Sequence, residues 1–227
     1  MVTGEPRIRA LPLFPLAQVV LFPRTRVPLH VFEPRYQQMI AAVLAGDRRL
    51  GMVAVPPEHA EALSGDPPLY SVGCAGVVTE IERLDDGRYN LVLSGTERFR
   101  ILGEPPRPDD RLYRVAEVEL LDDECEARET NRIAALRSRT VELLAEILER
   151  QNASAAQRSE LLARRLASLD DATFADALCQ TLSFSTPEKQ GLLEVDGVAA
   201  RLESLIQLLR FRLAELAGGS QLSRTLQ

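Results

Sequence analysis

The chain reads as an α+β protein, with strands in its front half and helices behind. Three observations carry that expectation. Residues 11–36, LPLFPLAQVVLFPRTRVPLHVFEPRY, hold five prolines among apolar and β-branched residues. Each proline removes a backbone donor and clashes with a preceding helical turn, so a continuous helix is excluded, while the stretch is too apolar for a loop. Up to residue 121 the apolar residues alternate as in strands, and beyond it they recur at helical spacing with short connections.

The elements follow in order. Leu11–Phe14, Val19–Phe22 and Val27–Phe32 read as short strands with proline at their ends or on an edge. Glu33 to Leu44 reads as a helix, with Pro34 at its start, Tyr36, Met39, Ile40 and Val43 at helical spacing, and Gly46 beyond its end. Leu50–Val55 is a strand stopped by Pro56-Pro57, and residues 58–68 read as a surface loop. A hairpin comes next. Val77, Thr79 and Ile81 alternate against Val78 and Glu80, and Tyr89, Leu91 and Leu93 against Asn90 and Val92. Asp85-Asp86-Gly87-Arg88 lies between them, and Asp-Gly favours a tight hairpin turn. The second strand continues through a break at Ser94-Gly95 to Phe99 and Ile101. After the loop Pro105-Pro106-Arg107-Pro108, a last strand runs from Tyr113 to about Leu121. About six short antiparallel strands with one helix most easily close into a small barrel or a folded-over sheet.

Five helical stretches are expected behind. The first covers Glu126 to Gln151, with an apolar face of Ile133, Leu136, Val141, Leu144, Ile147 and Leu148. Ser154-Ala155-Ala156-Gln157 resembles a capping box for a second, which carries Leu161, Leu162, Leu166 and Leu169. Asp171–Leu182 and Pro187–Val195 follow, with Thr186 as N-cap of the latter. The last carries Val198, Leu202, Leu205, Leu209, Leu213 and Leu216 and ends at Gly218-Gly219. The expected organisation is a β subdomain over residues 1–121, a helical bundle over 122–219 and a frayed tail over 220–227.

Composition narrows the function classes. Apolar residues at 45% and charged residues at 26% suit a globular core. A chain of this size buries on the order of 70% of its surface and needs neither disulfide nor metal. Cys74, Cys125 and Cys179 are far apart and odd in number, with no C-x-x-C pair, and read as thiols in a reducing compartment. With two histidines in the chain, no metal site and no cofactor is expected. No apolar run spans a bilayer, and residues 1–9 lack a signal-peptide core, so no membrane partner and a cytoplasmic location are expected. The net charge of −6 splits as −2 over residues 1–120 and −4 over 121–227. Neither half offers the basic excess that phosphate backbones select, which argues against nucleic acid.

The chemistry-bearing residues read as structural. There is no G-x-x-x-x-G-K-[ST] phosphate loop. Lys189, the one lysine, sits in the helix-start pattern Ser185-Thr186-Pro187-Glu188. His30 lies in a strand without a Ser or Cys nucleophile nearby, and reads as a hydrogen-bonded structural histidine. His59 reads as solvated in an acidic loop. Glu33 and Arg35 could clamp a ligand, but a helix start and a local ion pair explain them. The paired acids Asp85-Asp86, Asp109-Asp110, Asp122-Asp123 and Asp170-Asp171 fall at turns or helix starts.

Residues 11–36 closely resemble the opening of the amino-terminal domain of the bacterial Lon protease family, which has LPLFPL, VLFP and PLHIFEPRY in that order. Val72–Val78 is similar to its VGCxGxV, Asp86–Leu91 to its DGRxNL and Arg98–Ile101 to its RFRI. Ala175–Leu178 and Lys189–Glu194 are similar to its helical LADxLA and KQxLLE blocks, so the resemblance covers about residues 9–217. It implies a PUA-like antiparallel β pseudobarrel followed by a C-terminal helical bundle. The ATPase loop and Ser-Lys peptidase domain of a full Lon protease are not in the sequence, and the last helix ends after Leu216, which reads as a free-standing protein.

The function implied is a non-catalytic, ATP-independent polypeptide-binding module: a proteolysis adaptor or a holdase. Its partners would be an unfolded polypeptide or protein client, a separate ATP-dependent protease, and further copies of itself in a homo-oligomer. Phe14, Phe22, Pro23, Phe32 and Tyr36 are the candidate peptide-binding residues, together with the cleft between barrel and bundle. The alternatives are a PUA-like RNA-binding module, which the acidic balance disfavours, and a small-molecule sensor.

Overall fold

The computed structural model describes residues 7–122, 129–151, 166 and 168–225. In chain order the elements are β1 (Ile8–Leu16), β2 (Arg26–Val31), α1 (Pro34–Ala45), β3 (Arg49–Ala54), a 3-10 turn (Pro57–Ala62), β4 (Val72–Arg83), β5 (Tyr89–Gly103), β6 (Val115–Leu121), α2 (Thr130–Gln151), α3 (Asp171–Thr181), α4 (Thr186–Glu194) and α5 (Val198–Thr225). They group into two units. One joins Met1–Asp122 with Asp176–Glu194, and the other joins Asp123–Ala175 with Val195–Gln227. The expected capping box at Ser154–Gln157, the helix start at Glu126 and Cys125 lie outside the described residues.

In the first unit the strand order is β2-β5-β4-β3-β1-β6, and β6 pairs again with β5. Five strands therefore form a closed ring, with β2 added beside the first half of β5. One pairing corrects the antiparallel expectation. Leu13–Leu16 of β1 runs parallel to Gly51–Ala54 of β3, while the start of β1 is antiparallel to β6. A parallel pair needs a long crossover, and the segment holding β2 and α1 supplies it. The hairpin turn forms where Asp-Gly places it: Gly87 has φ +85° and its N–H donates to Leu84 O.

Two apolar clusters pack on opposite faces of the strands, one of them against α1. Phe14, Leu21, Tyr36, Met39, Ile40, Leu50 and Leu93 belong to one, and Leu13, Val53, Phe99 and Val118 to the other. Gly73 permits this packing, since a Cβ there would lie 2.6 Å from Met52 O. Val19–Phe22, expected as a strand, is instead an irregular segment with Val20, Leu21 and Phe22 buried. Its backbone bonds go to a side chain. Gln180 Oε1 accepts from Phe22 N at 3.0 Å, and Gln180 Nε2 donates to Val20 O at 3.2 Å. Phe22–Thr25 then turns with Pro23 second and Arg24 at φ +60° third, the positions a type II turn assigns to a proline and a positive φ.

Asp176–Glu194 is held to the strands by further polar contacts. Arg24 Nη2 donates to the buried Asp176 at 2.6 Å, Arg98 Nη1 to Leu193 O at 3.0 Å, and Gln190 Nε2 to Val72 O at 2.9 Å. Ser185 and Glu188 form the capping box of α4, one residue earlier than the sequence pattern suggests. Lys189 Nζ donates to Gln180 O at 2.6 Å, so this lysine serves the C-terminal end of α3.

In the second unit, Ile133, Leu143 and Leu144 of α2 and Val198, Leu202, Leu205 and Leu209 of α5 are buried. Arg137 donates to Leu166 O, Leu169 O and Asp171 while lying over the Phe174 ring at 4.4 Å. α5 runs through Gly218-Gly219, where the sequence suggested an end. Glycine lowers helix propensity by about 1 kcal/mol without forbidding the helix.

Gln180→Ala should destabilise the protein by about 2–3 kcal/mol, because Phe22 N–H and Val20 C=O lose their partner in a buried setting. Urea unfolding of the variant beside wild type measures it.

Candidate functional site

An open surface of the first unit lies on the outer face of β2, β5 and β4. Two cross-strand rows define it: Pro28–Val92–Glu80 and His30–Asn90–Glu82. Leu29, Leu91 and Ile81 form the floor of a concavity of about 550 Å³ above these rows. The alternation of β5 matches the sequence pattern, with Tyr89, Leu91 and Leu93 buried beneath Asn90 and Val92. β4 departs from it. A bulge between Val78 and Glu80 leaves Val78 buried and turns both Thr79 and Glu80 outward. The carboxylate of Glu80 therefore lines the concavity instead of the core.

A chain of hydrogen bonds crosses the face. Asn90 Nδ2 donates to Glu82 Oε2 at 2.9 Å, which leaves Asn90 Oδ1 to accept from His30 Nδ1 at 2.7 Å. His30 Nε2 faces Arg88 Nη1 at 3.5 Å. The imidazole is oriented by an amide and a guanidinium, with no hydroxyl or thiol among its partners in the described residues. Phe32 follows β2 and is 60% exposed, with its ring stacked on His30 at 6.1 Å between centroids. Gln37 of α1 donates to Phe32 O at 2.9 Å and fixes the backbone behind that ring. The face thus combines an exposed aromatic ring, the apolar Pro28 and Val92, and two carboxylates.

Of the five candidate residues, Phe32 is the exposed one. Phe14, Phe22, Pro23 and Tyr36 are buried. Phe14 packs on Tyr36 with ring centroids 4.5 Å apart. Phe22 is closed over by Gly95, where a Cβ would overlap the Phe22 carbonyl. These four hold up the strand and turn on which Phe32 sits. Pro28, Glu80, Glu82, Asn90 and Val92 join the surface from positions that pattern alone did not single out. Glu33 and Arg35 form the local pair, at 2.8 Å. Arg35 also donates to the carbonyls of Leu63, Ser64 and Gly65, and lies 4.4 Å from the Tyr36 ring, so it closes the 57–65 segment onto α1. Among the described residues, no group of three His, Cys, Asp or Glu side chains is placed to hold a metal ion. No described helix is long and apolar enough to cross a membrane.

A closed strand ring with helices docked on it defines an α+β domain with an open, partly apolar outer face. The chain belongs to the family of the ATP-dependent protease La (LON) substrate-binding domain, whose model matches residues 10–210. Lon protease 1 of Syntrophobacter fumaroxidans is 31% identical over 202 residues, covering 88% of this chain and 24% of the relative. Lon protease 2 of Sorangium cellulosum is 30% identical over 249 residues, covering 100% of this chain and 29% of the relative. The chain thus spans about a quarter of the length of these curated relatives. Two solved structures share the fold. The N-terminal domain of Mycobacterium avium complex Lon protease aligns with a TM-score of 0.65 at 22% identity, over 89% of this chain and 98% of that one. A Lon N-terminal domain protein from Xanthomonas campestris aligns with a TM-score of 0.59 at 24% identity, over 88% and 98%. The matched region is the substrate-binding domain, and no protease domain is evident in the 227 residues.

Burial pushes the Tyr36 hydroxyl up from its ordinary 10.0 to about 12, with Glu33 and Asp66 adding to the rise and Arg35 and Arg114 opposing it. Between those values the unfolded chain releases a proton that the folded chain keeps. Stability should therefore fall as pH climbs from about 10 to about 12. Tyr36→Phe should flatten that part of the decline, read as the difference between the two proteins' unfolding free energies across the alkaline range.

Proposed function

We propose that the first unit binds extended, non-native polypeptide segments on the outer face of β2, β5 and β4, with Phe32 as the apolar anchor. The observation that carries this reading is an exposed aromatic ring beside a 550 Å³ concavity on a strand with a single strand neighbour. An extended chain presents alternate side chains to such a face. Its aromatic or aliphatic residues meet Phe32, Pro28 and Val92, and its basic residues meet Glu80 and Glu82. Family membership supports a substrate-binding role, and the acidic rim gives that role a charge preference.

The protein carries out no peptide hydrolysis in this reading. It acts without ATP, holding clients or delivering them to a separate ATP-dependent protease, in the cytoplasm. The thiols Cys74 and Cys179 are buried and not joined in a disulfide, which fits a reducing compartment.

Fluorescence anisotropy with a labelled, permanently unfolded polypeptide and its native counterpart tests the reading. Binding of the unfolded form alone, retained at high salt, is the expected result. Phe32→Ala should weaken it about 5- to 30-fold, the range for losing an aromatic anchor, with an unchanged unfolding midpoint because the ring is exposed. Equal binding of both forms, or full affinity in Phe32→Ala, would overturn the proposal.

A further inference from the structure

A second pocket lies away from that face, where the segment after β5 returns to β6. It has a volume of about 170 Å³ and is lined by Asp66, Glu104, Arg107, Arg111, Arg114 and neighbouring apolar groups. Two of its three guanidinium groups are already matched. Arg107 grips Asp66 with two bonds, Nη1 to Oδ1 at 3.1 Å and Nη2 to Oδ2 at 2.5 Å. Arg114 forks onto both oxygens of Glu104 and donates to Pro67 O at 2.6 Å. The Arg107 hydrogen bonds hold the Asp66 carboxyl below the usual carboxylate range, so Asp66 is ionised at neutral pH and its pair is neutral.

Arg111 is different. Its Nε is buried and has no hydrogen-bond partner. No ion pair engages its guanidinium among the described residues. With three guanidinium groups against two carboxylates, the pocket carries one excess positive charge, centred on Arg111. A buried N–H without an acceptor is costly, so an acceptor brought by a ligand would be favoured there. The position is also held from behind. Gln38 of α1 donates through Nε2 to Asp110 O and accepts at Oε1 from Leu112 N, both at 2.7 Å. One amide thus clamps the peptide groups on either side of Arg111. Arg111 N donates to Pro108 O at 3.1 Å in the same turn.

We propose that this pocket is a carboxylate-binding site, in which Arg111 receives a single carboxylate between its Nε–H and a terminal N–H. The planar guanidinium fork matches a carboxylate with two parallel bonds. The charge count calls for a monoanion, and the volume admits the end of a chain or one acidic side chain. The group can belong to a peptide terminus, to an Asp or Glu side chain, or to a free small acid. The site stands independently of the β2 face: it uses different residues and a ligand of opposite charge.

Titration of 15N-labelled protein, followed at the arginine Nε–H resonances, reads the site directly. The probes are acetate, an N-acetyl-dipeptide with a free C-terminus, the same dipeptide amidated, an amidated dipeptide containing glutamate, and inorganic phosphate. A saturable shift of the Arg111 Nε–H with the free acids and none with the plain amide is expected. Comparing the free-terminus and glutamate dipeptides tells chain ends from acidic side chains, and response to acetate alone assigns a small acid. Arg111→Gln should reduce binding at least tenfold with the rest of the amide spectrum unchanged. Arg111→Lys, which keeps the charge but not the fork, should fall between the two. An equal response to the amidated peptide, tighter binding of phosphate than of any carboxylate, or no saturable shift in the wild-type protein would overturn the proposal. The last comparisons need no variant, so they hold whether or not Arg111→Gln folds. Loss of unfolded-polypeptide binding with this titration intact would remove the β2-face reading and leave this one.

Discussion

The side-chain amide of Gln180 stands where a neighbouring strand would otherwise be. The Val20–Phe22 backbone is buried but outside the sheet ladder, and a buried peptide group without a partner is costly. Gln180 supplies an acceptor to Phe22 N and a donor to Val20 O, and Thr25 Oγ1 donates to the same Oε1 at 3.0 Å. That arrangement lets Phe22 reach the core and Pro23-Arg24 make the turn into β2. Arg24 keeps its positive φ in that turn while its side chain pairs with Asp176. The order of events along the chain is thus reversed in space: helices formed late by the sequence hold the entry to the second strand. The outer face begins at that strand, so its position rests on a contact between residues 160 apart.

The same logic explains why the ring can bend at β5. This strand pairs with β2 and β4 in its first half and with β4 and β6 in its second. A flat ladder could not serve three neighbours. Gly95 lies at the change of partners, where its N–H donates to Thr25 O and its carbonyl accepts from Arg24 N. A side chain there would collide with the Phe22 carbonyl, so the tight approach of turn and strand depends on glycine. Closure leaves β2 with one strand neighbour, and Pro28 in its middle lacks the N–H that edge-to-edge pairing would use. Such an edge discourages unlimited strand addition, while the exposed side chains of its outer face stay available.

Local signals carried much of this. The Asp85–Arg88 turn, the inward set of β5, the start of α1 at Pro34 and the strand ended by Pro56 all depend on neighbours in sequence, and each is found where the pattern places it. What failed was non-local. Val19–Phe22 has strand composition, and nothing within the segment says that its partner is a glutamine side chain. The parallel β1–β3 pairing follows from a crossover, which alternation cannot reveal. At the candidate face, simple alternation puts Val78 and Glu80 on one side, whereas the bulge separates them. The aromatic residues of the opening segment looked alike as candidates because composition cannot tell a ring that packs beneath a turn from one that stands beyond it. Phe22 and Phe32 are ten residues apart, one fully buried and the other mostly exposed.

The near absence of lysine also acquires a structural sense. Arg35 binds three successive carbonyls, Arg114 a carboxylate and Pro67 O, Arg137 two carbonyls and a carboxylate, and the fully buried Arg98 the Leu193 carbonyl. Each guanidinium gathers the polar groups of an irregular segment that no ladder satisfies, which a single ammonium would do less rigidly. Irregular connections are thereby fixed in place without adding strands or helices. Within such a scheme these four arginines are engaged from inside the fold, so a high arginine content need not give a basic surface. On the outer face of β2, β5 and β4, Arg88 pairs with Asp86 at the surface, and the exposed Arg26–Glu80 contact at 3.8 Å is long and solvent-screened, so Glu80 and Glu82 leave the face an acidic rim. On the proposed reading of this face, such a rim would suit clients with exposed apolar and basic residues better than polyanions, through the same kind of charge pairing that stabilises the loops.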